Sequence, residues 1–120
     1  DLSVYYKEAT DGDIDQFASL GCVFVADTAR LVQAADTWVR RKLWLISQSQ
    51  ILQKVPVPDI KAVAAEFSID LNTHIDGGVE KIVIPEDKKE LKALLRFLDE
   101  DYYKSPLLQN RYVTNSKRPV

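Results

Sequence analysis

Two short runs hold the residue types that grip an anion. In "VRRKLWLISQSQ", Arg40, Arg41 and Lys42 stand in sequence between Trp38 and Trp44, with Ser47 to Gln50 following. Basic side chains neutralise phosphates while hydroxyls and amides add hydrogen bonds, so this grouping suits a nucleic-acid backbone. The alternative is that both tryptophans belong to the core and the basic run is a solvated side. On a helix, Arg40 and Arg41 point about 100° apart, so the two need not share a role. The second run is Asn115, Ser116, Lys117 and Arg118, a compact set of donors. A third run, Asp99, Glu100 and Asp101, is the one tight acidic cluster. Carboxylates attract hard cations, and a carboxylate-metal nuclease can be imagined. Three consecutive acids at a helix end point in different directions, however, and oppose the helix dipole. A nearby basic partner such as Arg111 or Lys117 would relieve that conflict.

No other catalytic constellation stands out. His74 is the single histidine and falls in an expected strand, where a surface or edge position is the simpler reading. No second histidine or cysteine lies at metal-ligand spacing. Cys22 sits in an apolar run and reads as a core thiol. Gly77–Gly78 reads as a hairpin turn rather than a phosphate loop. No metal site and no cofactor are expected.

The 120 residues suit one domain, here residues 1–120, and 46% apolar with 28% charged composition is that of an ordinary globular chain. No run approaches a membrane span of about 20 apolar residues. No secretory leader pattern is visible, and a lone cysteine makes a cytoplasmic setting the default. There is no methionine, and "DLSVYY" opens as if mid-strand, so the expectation is the C-terminal part of a longer protein. The net charge of −2 is unevenly spread: residues 39–69 carry +3 and residues 102–120 carry +4, against −5 over 1–38 and −4 over 70–101. Two basic zones on an acidic chain point to a localised anion contact.

The elements that must position these groups follow from patterning. "LSVYY" reads as a strand and "EATDGD" as a loop. "IDQFASLGCVFVA" stays open between helix and strand. From Asp27 or Thr28, which can cap it, a long helical stretch runs towards Val55 with a break at Ser47–Gln50. Its face is Leu31, Ala34, Ala35, Trp38, Val39, Leu43 and Ile46. Pro56 and Pro58 end it. A second helix begins near Asp59, with Ile60, Val63, Ala64 and Phe67 as its buried face. Leu71 to Pro85 reads as a hairpin turning at Asp76–Gly78. Pro85, Glu86 and Asp87 introduce the strongest helix, with Leu91, Leu94, Leu95 and Leu98 in one stripe. "RYVT" is a last strand. The order predicts an α+β domain, a small antiparallel sheet with three or four packed helices.

The segment "KKELKALLRFLDEDYYKSPLLQNRYVTNSKR" resembles the C-terminal signature of the KwaB-like family, the cytosolic subunit of the Kiwa bacterial anti-phage defence system. The residues that carry the resemblance are Leu94, Leu95, Phe97, Leu98, Asp99, Asp101, Ser105, Leu107, Tyr112, Asn115, Ser116, Lys117 and Arg118. Upstream, "VRRKLWLISQSQIL" is similar to the family's basic-apolar helix. Leu108 stands where the family has threonine, and Gln109–Asn110 where a Gly or Asp turn is common. Residues 1–26 carry no part of the likeness. The resemblance implies a DNA-binding subunit that forms a homo-oligomer and reaches the membrane through a partner protein; it implies no catalytic residues. The leading expectation is therefore DNA backbone contact at Arg40, Arg41 and Lys42, then Lys117 and Arg118. In that reading Lys117 or Arg118 also braces Asp99 and Asp101. The alternatives are a purely structural dimerisation domain and a metal nuclease.

Overall fold

A computed structural model describes residues 7–105 and 107–114. The expected strand "LSVYY" and the run Asn115–Arg118 lie outside the described residues. Helix α1 (Asp11–Ala18) starts inside the expected loop because Thr10 closes a capping box. The Asp13 amide donates to Thr10 Oγ1 at 3.1 Å and the Thr10 amide to Asp13 Oδ2 at 2.9 Å. Two orphan donors are thereby satisfied. The ambiguous stretch that follows is both things in turn: Ile14 and Phe17 bury the face of α1, and Val23–Phe24 form strand β1.

The long helical stretch is three helices, α2 (Thr28–Ala34), α3 (Thr37–Ser49) and α4 (Ile51–Lys54). Asp27 caps α2 through the Arg30 amide, and Asp36 caps α3 through the Val39 amide at 2.9 Å. The second cut falls at Gln50, whose φ of 57° is left-handed, at the expected break. Helix α5 (Val57–Glu66) starts after Pro56 and carries Pro58 in its first turn, where a missing N–H costs nothing.

Strands β2 (Thr73–Asp76) and β3 (Val79–Val83) form the expected hairpin, with Gly77 and Gly78 at φ 59° and 81°. That conformation is what a two-residue hairpin turn requires and what glycine adopts freely. The sheet is mixed rather than wholly antiparallel. Its order is β1-β3-β2, and β1 joins β3 in parallel with Val23 opposite Ile82. His74 is exposed on edge strand β2, its ring 4.4 Å from that of Phe24. The Cys22 thiol is half-buried; burial pushes its pKa up, and Sγ lies 3.5 Å from the Leu52 carbonyl.

Helix α6 (Lys88–Leu98), capped by Asp87, buries Leu91, Leu94, Leu95 and Leu98 as the stripe predicts, and Phe97 as well. It packs on α3, whose Val39, Leu43 and Ile46 are almost fully enclosed. Ile82 of β3 joins the same core. A second small sheet follows: β4 (Tyr102–Lys104) pairs antiparallel with β5 (Arg111–Val113). The last strand is as expected, and its partner is a segment, Tyr102–Lys104, for which no strand was expected. The fold is α+β, with more and shorter helices than expected because Asp36 and Gln50 interrupt them.

Asp36 also joins α3 to α6. It accepts from Lys88 Nζ at 2.9 Å, with Lys92 Nζ at 3.4 Å. The Lys88 hydrogen bond first, then the Val39 amide, lower its pKa from 3.8 to about 2. A depressed carboxylate contributes stability above its unfolded pKa and loses it as pH falls through the folded value. Asp36→Asn keeps a capping oxygen but no charge. Its stability is therefore expected to fall less steeply than that of the parent between pH 3.8 and about 2. Urea unfolding across that range checks this; parallel acid limbs would contradict it.

Candidate nucleic-acid interface

Arg40 leaves the first turns of α3 and turns inward. Its Nε donates to the Ala35 carbonyl at 3.2 Å, Nη1 to Ala9 at 3.0 Å and Nη2 to Val32 at 3.0 Å. Nη1 also meets Asp11 at 2.9 Å. A planar guanidinium spreads donors over a fixed fork, and here that fork ties α1, the end of α2 and α3 together.

Lys42, two positions on, reaches into a buried pair of carboxylates. Its Nζ lies 2.9 Å from Asp99 Oδ2 and 2.5 Å from Asp101 Oδ2. The Lys42 side chain is 16% exposed, and Asp99 and Asp101 are each 5% exposed as residues. Burial alone would depress the ammonium pKa, but hydrogen bonds to Asp101 and Asp99 outweigh it, and the net direction is upward. The turn after α6 explains how consecutive acids converge. The Glu100 amide donates to the Phe97 carbonyl at 3.0 Å and the Asp101 amide to the Arg96 carbonyl at 2.9 Å. Glu100 takes φ 57°, the left-handed position of a Schellman cap. That reversal brings Asp99 and Asp101 to one lysine and leaves Glu100 exposed. The expectation that the three acids diverge is corrected: two meet, and Lys42 from α3 answers them.

The expected anion set is thus split. Arg40 and Lys42 are engaged within the fold, Arg41 is half-buried, and Lys117 and Arg118 lie outside the described residues. Tyr112 stacks on Tyr103 with ring centroids 5.1 Å apart, joining β5 to β4.

A different basic grouping forms where α6 crosses α3. Lys88, Lys92 and Arg96 recur every four residues on α6, so successive members lie one turn apart. Lys92 Nζ stands 5.3 Å and Arg96 Cζ 5.4 Å from the centre of the Trp38 ring, with Lys42 Nζ at 5.6 Å. Trp38 is half-buried, with cations gathered against it. Asp36 neutralises part of the row, and Arg96 forms no carboxylate ion pair among the described residues. The spacing is legible in "KKELKALLR", where it runs alongside the stronger periodicity of the leucine stripe. Trp44 carries a separate cation, Lys7, at 5.2 Å.

Among the described residues no group of three or more His, Cys, Asp or Glu could hold a metal ion. No described helix is long and apolar enough to cross a membrane. Over residues 1–108 the chain matches the family model described as Kiwa protein KwaB-like. The chain belongs to the KwaB-like family. Membership associates it with Kiwa anti-phage defence. Neither the curated proteins nor the solved structures gave a match. The KwaB-like match takes in residues 1–26, where the sequence alone suggested no likeness, and stops before Tyr112 and Asn115–Arg118. Both sides of the Lys42 bridge fall within it.

Proposed function

We propose that this KwaB-like chain is a non-catalytic binding module that holds DNA by its phosphate backbone. The basic row on α6, rather than Arg40 and Lys42, makes the contact. The observation that supports this is the alignment of Lys88, Lys92 and Arg96 along α6, with Lys92 and Arg96 beside Trp38. Lysine and arginine there would meet phosphates without reading bases. Lys117 and Arg118 add charge to the same interaction. In the same reading the chain works in the cytoplasm, self-associates and is brought to the membrane by a partner subunit.

The test is a labelled duplex titrated with the parent and with Lys88→Gln/Lys92→Gln/Arg96→Gln over a salt series. The parent affinity is expected to fall steeply with salt. The slope of log K against log salt is expected to shrink in the variant by about 2 to 3, at about 0.9 per lost phosphate contact. Circular dichroism must show the variant folded. An unchanged slope removes α6 from the interface.

A further inference from the structure

Apart from the basic row, the described residues enclose a cleft of about 320 Å³ between α4 and α5 on one side and the end of α6 with β4 on the other. Phe67, Phe97 and Tyr102 line it. The Tyr102 ring stands 5.9 Å from Phe67 and 6.4 Å from Phe97, both at steep angles. Val63 reaches the mouth. The pattern of α5 predicts Val63 and Phe67 in the core beside Ile60 and Ala64, yet Val63 is 44% exposed and Phe67 is only half-buried. The apolar stripe of α5 is therefore wider than the surface the described residues supply to cover it.

Two carboxylates, Asp59 and Glu100, border the cleft. Three neighbouring acids are paired, Glu66 with Lys104, Asp76 with Lys81 and Glu80 with Lys61, while Asp70 has no ion pair among the described residues and does not line the cleft. Asp59 and Glu100 have no ion-pair partner among the described residues. Asp59 has an internal reason for its place, since it lies in the first turn of α5 where negative charge is favourable. Glu100 has none. It occupies a left-handed position that glycine would fill at lower cost, and it stands at the C-terminal end of α6 where the helix dipole repels it.

We propose that this cleft docks a segment of a partner protein that presents a lysine or arginine beside a bulky apolar side chain. The apolar side chain would cover Val63 and the rings. The cation would lie over aromatic faces and between Asp59 and Glu100, combining ring and carboxylate attraction. A groove beside packed helices is also the form that receives an amphipathic helix.

The probes are a synthetic helical peptide with leucine and lysine on one face, and its leucine–glutamate counterpart. Amide-resolved NMR on the full chain is expected to show Val63, Phe67 and Tyr102 shifting with the lysine peptide and not with the glutamate peptide. Asp59→Lys/Glu100→Lys is expected to weaken the lysine peptide by about tenfold or more and to gain the glutamate peptide, as complementary charge requires. Equal response to both peptides, or to neither, overturns the proposal. So does movement of these signals with chain concentration alone, which would make the occupant a second copy. DNA titration of the double variant keeps this result separate from the α6 interface.

Discussion

Lys42→Met is expected to cost this chain about 3–5 kcal/mol, the range for removing one partner from a buried charge cluster. The magnitude comes from what is left behind. Asp99 and Asp101 are each 5% exposed, and Lys42 Nζ lies within 2.9 Å of both. Without the ammonium, two buried carboxylates lose the charge partner they share, and unfolding relieves their repulsion. Urea denaturation at neutral pH measures the loss. Lys42→Met/Asp99→Asn/Asp101→Asn is expected to recover part of it, because neutral amides no longer repel. A triple variant no more stable than Lys42→Met would refute charge repulsion as the cause. The pH sign is also fixed: a lysine whose folded pKa is raised contributes fully below its unfolded value of 10.5, and that stability is lost as pH rises through the folded value.

Arg40→Met is expected to cost about 3 kcal/mol, as three backbone carbonyls lose their donor. Ala9, Val32 and Ala35 accept from one guanidinium that is only 19% exposed. An unsatisfied buried acceptor costs about 1–3 kcal/mol, and some of these carbonyls would regain water. Arg40→Lys is expected to restore less than half, since one ammonium cannot reproduce a planar fork. Thermal unfolding resolves the series; full rescue by lysine would show that charge alone matters. The two results bear on function together. Loss of DNA binding in Arg40 or Lys42 variants would report damage to the fold, so the α6 row is where an interface can be tested cleanly.

Features set by neighbours in sequence were legible. The leucine stripe of α6, the Gly77–Gly78 turn, the cap at Asp27 and the break at Gln50 each depend on a few adjacent residues. The second cap, Asp36, was hidden because the alanines before it and the apolar face after it continue a helical pattern. The parallel pairing of Val23 with Ile82 carries no local sign, because nothing within a two-residue strand specifies a distant partner. The engagement of Arg40 and Lys42 within the fold was hidden for a similar reason. Arg40 and Lys42 look like solvated cations until α1 and the end of α6 arrive beside them. The reversal at Glu100 was concealed by a residue type that rarely takes a left-handed backbone. The α6 row was in plain view, but Trp38, which gives it a surface, comes from another helix.

The Lys42 bridge also has a consequence for how the chain finds its fold. Lys42 and Asp99 are 57 positions apart, so closing the contact carries the entropic cost of ordering a long loop. The apolar faces of α3 (Val39, Leu43, Ile46) and α6 attract each other without direction, so they alone specify register weakly. A slip of one turn moves α6 by about 5.4 Å and carries Asp99 and Asp101 away from the ammonium. The misplaced helix would then bury a bare lysine opposite hydrocarbon. The cluster is thus expected to disfavour slipped packings that apolar contact alone would accept.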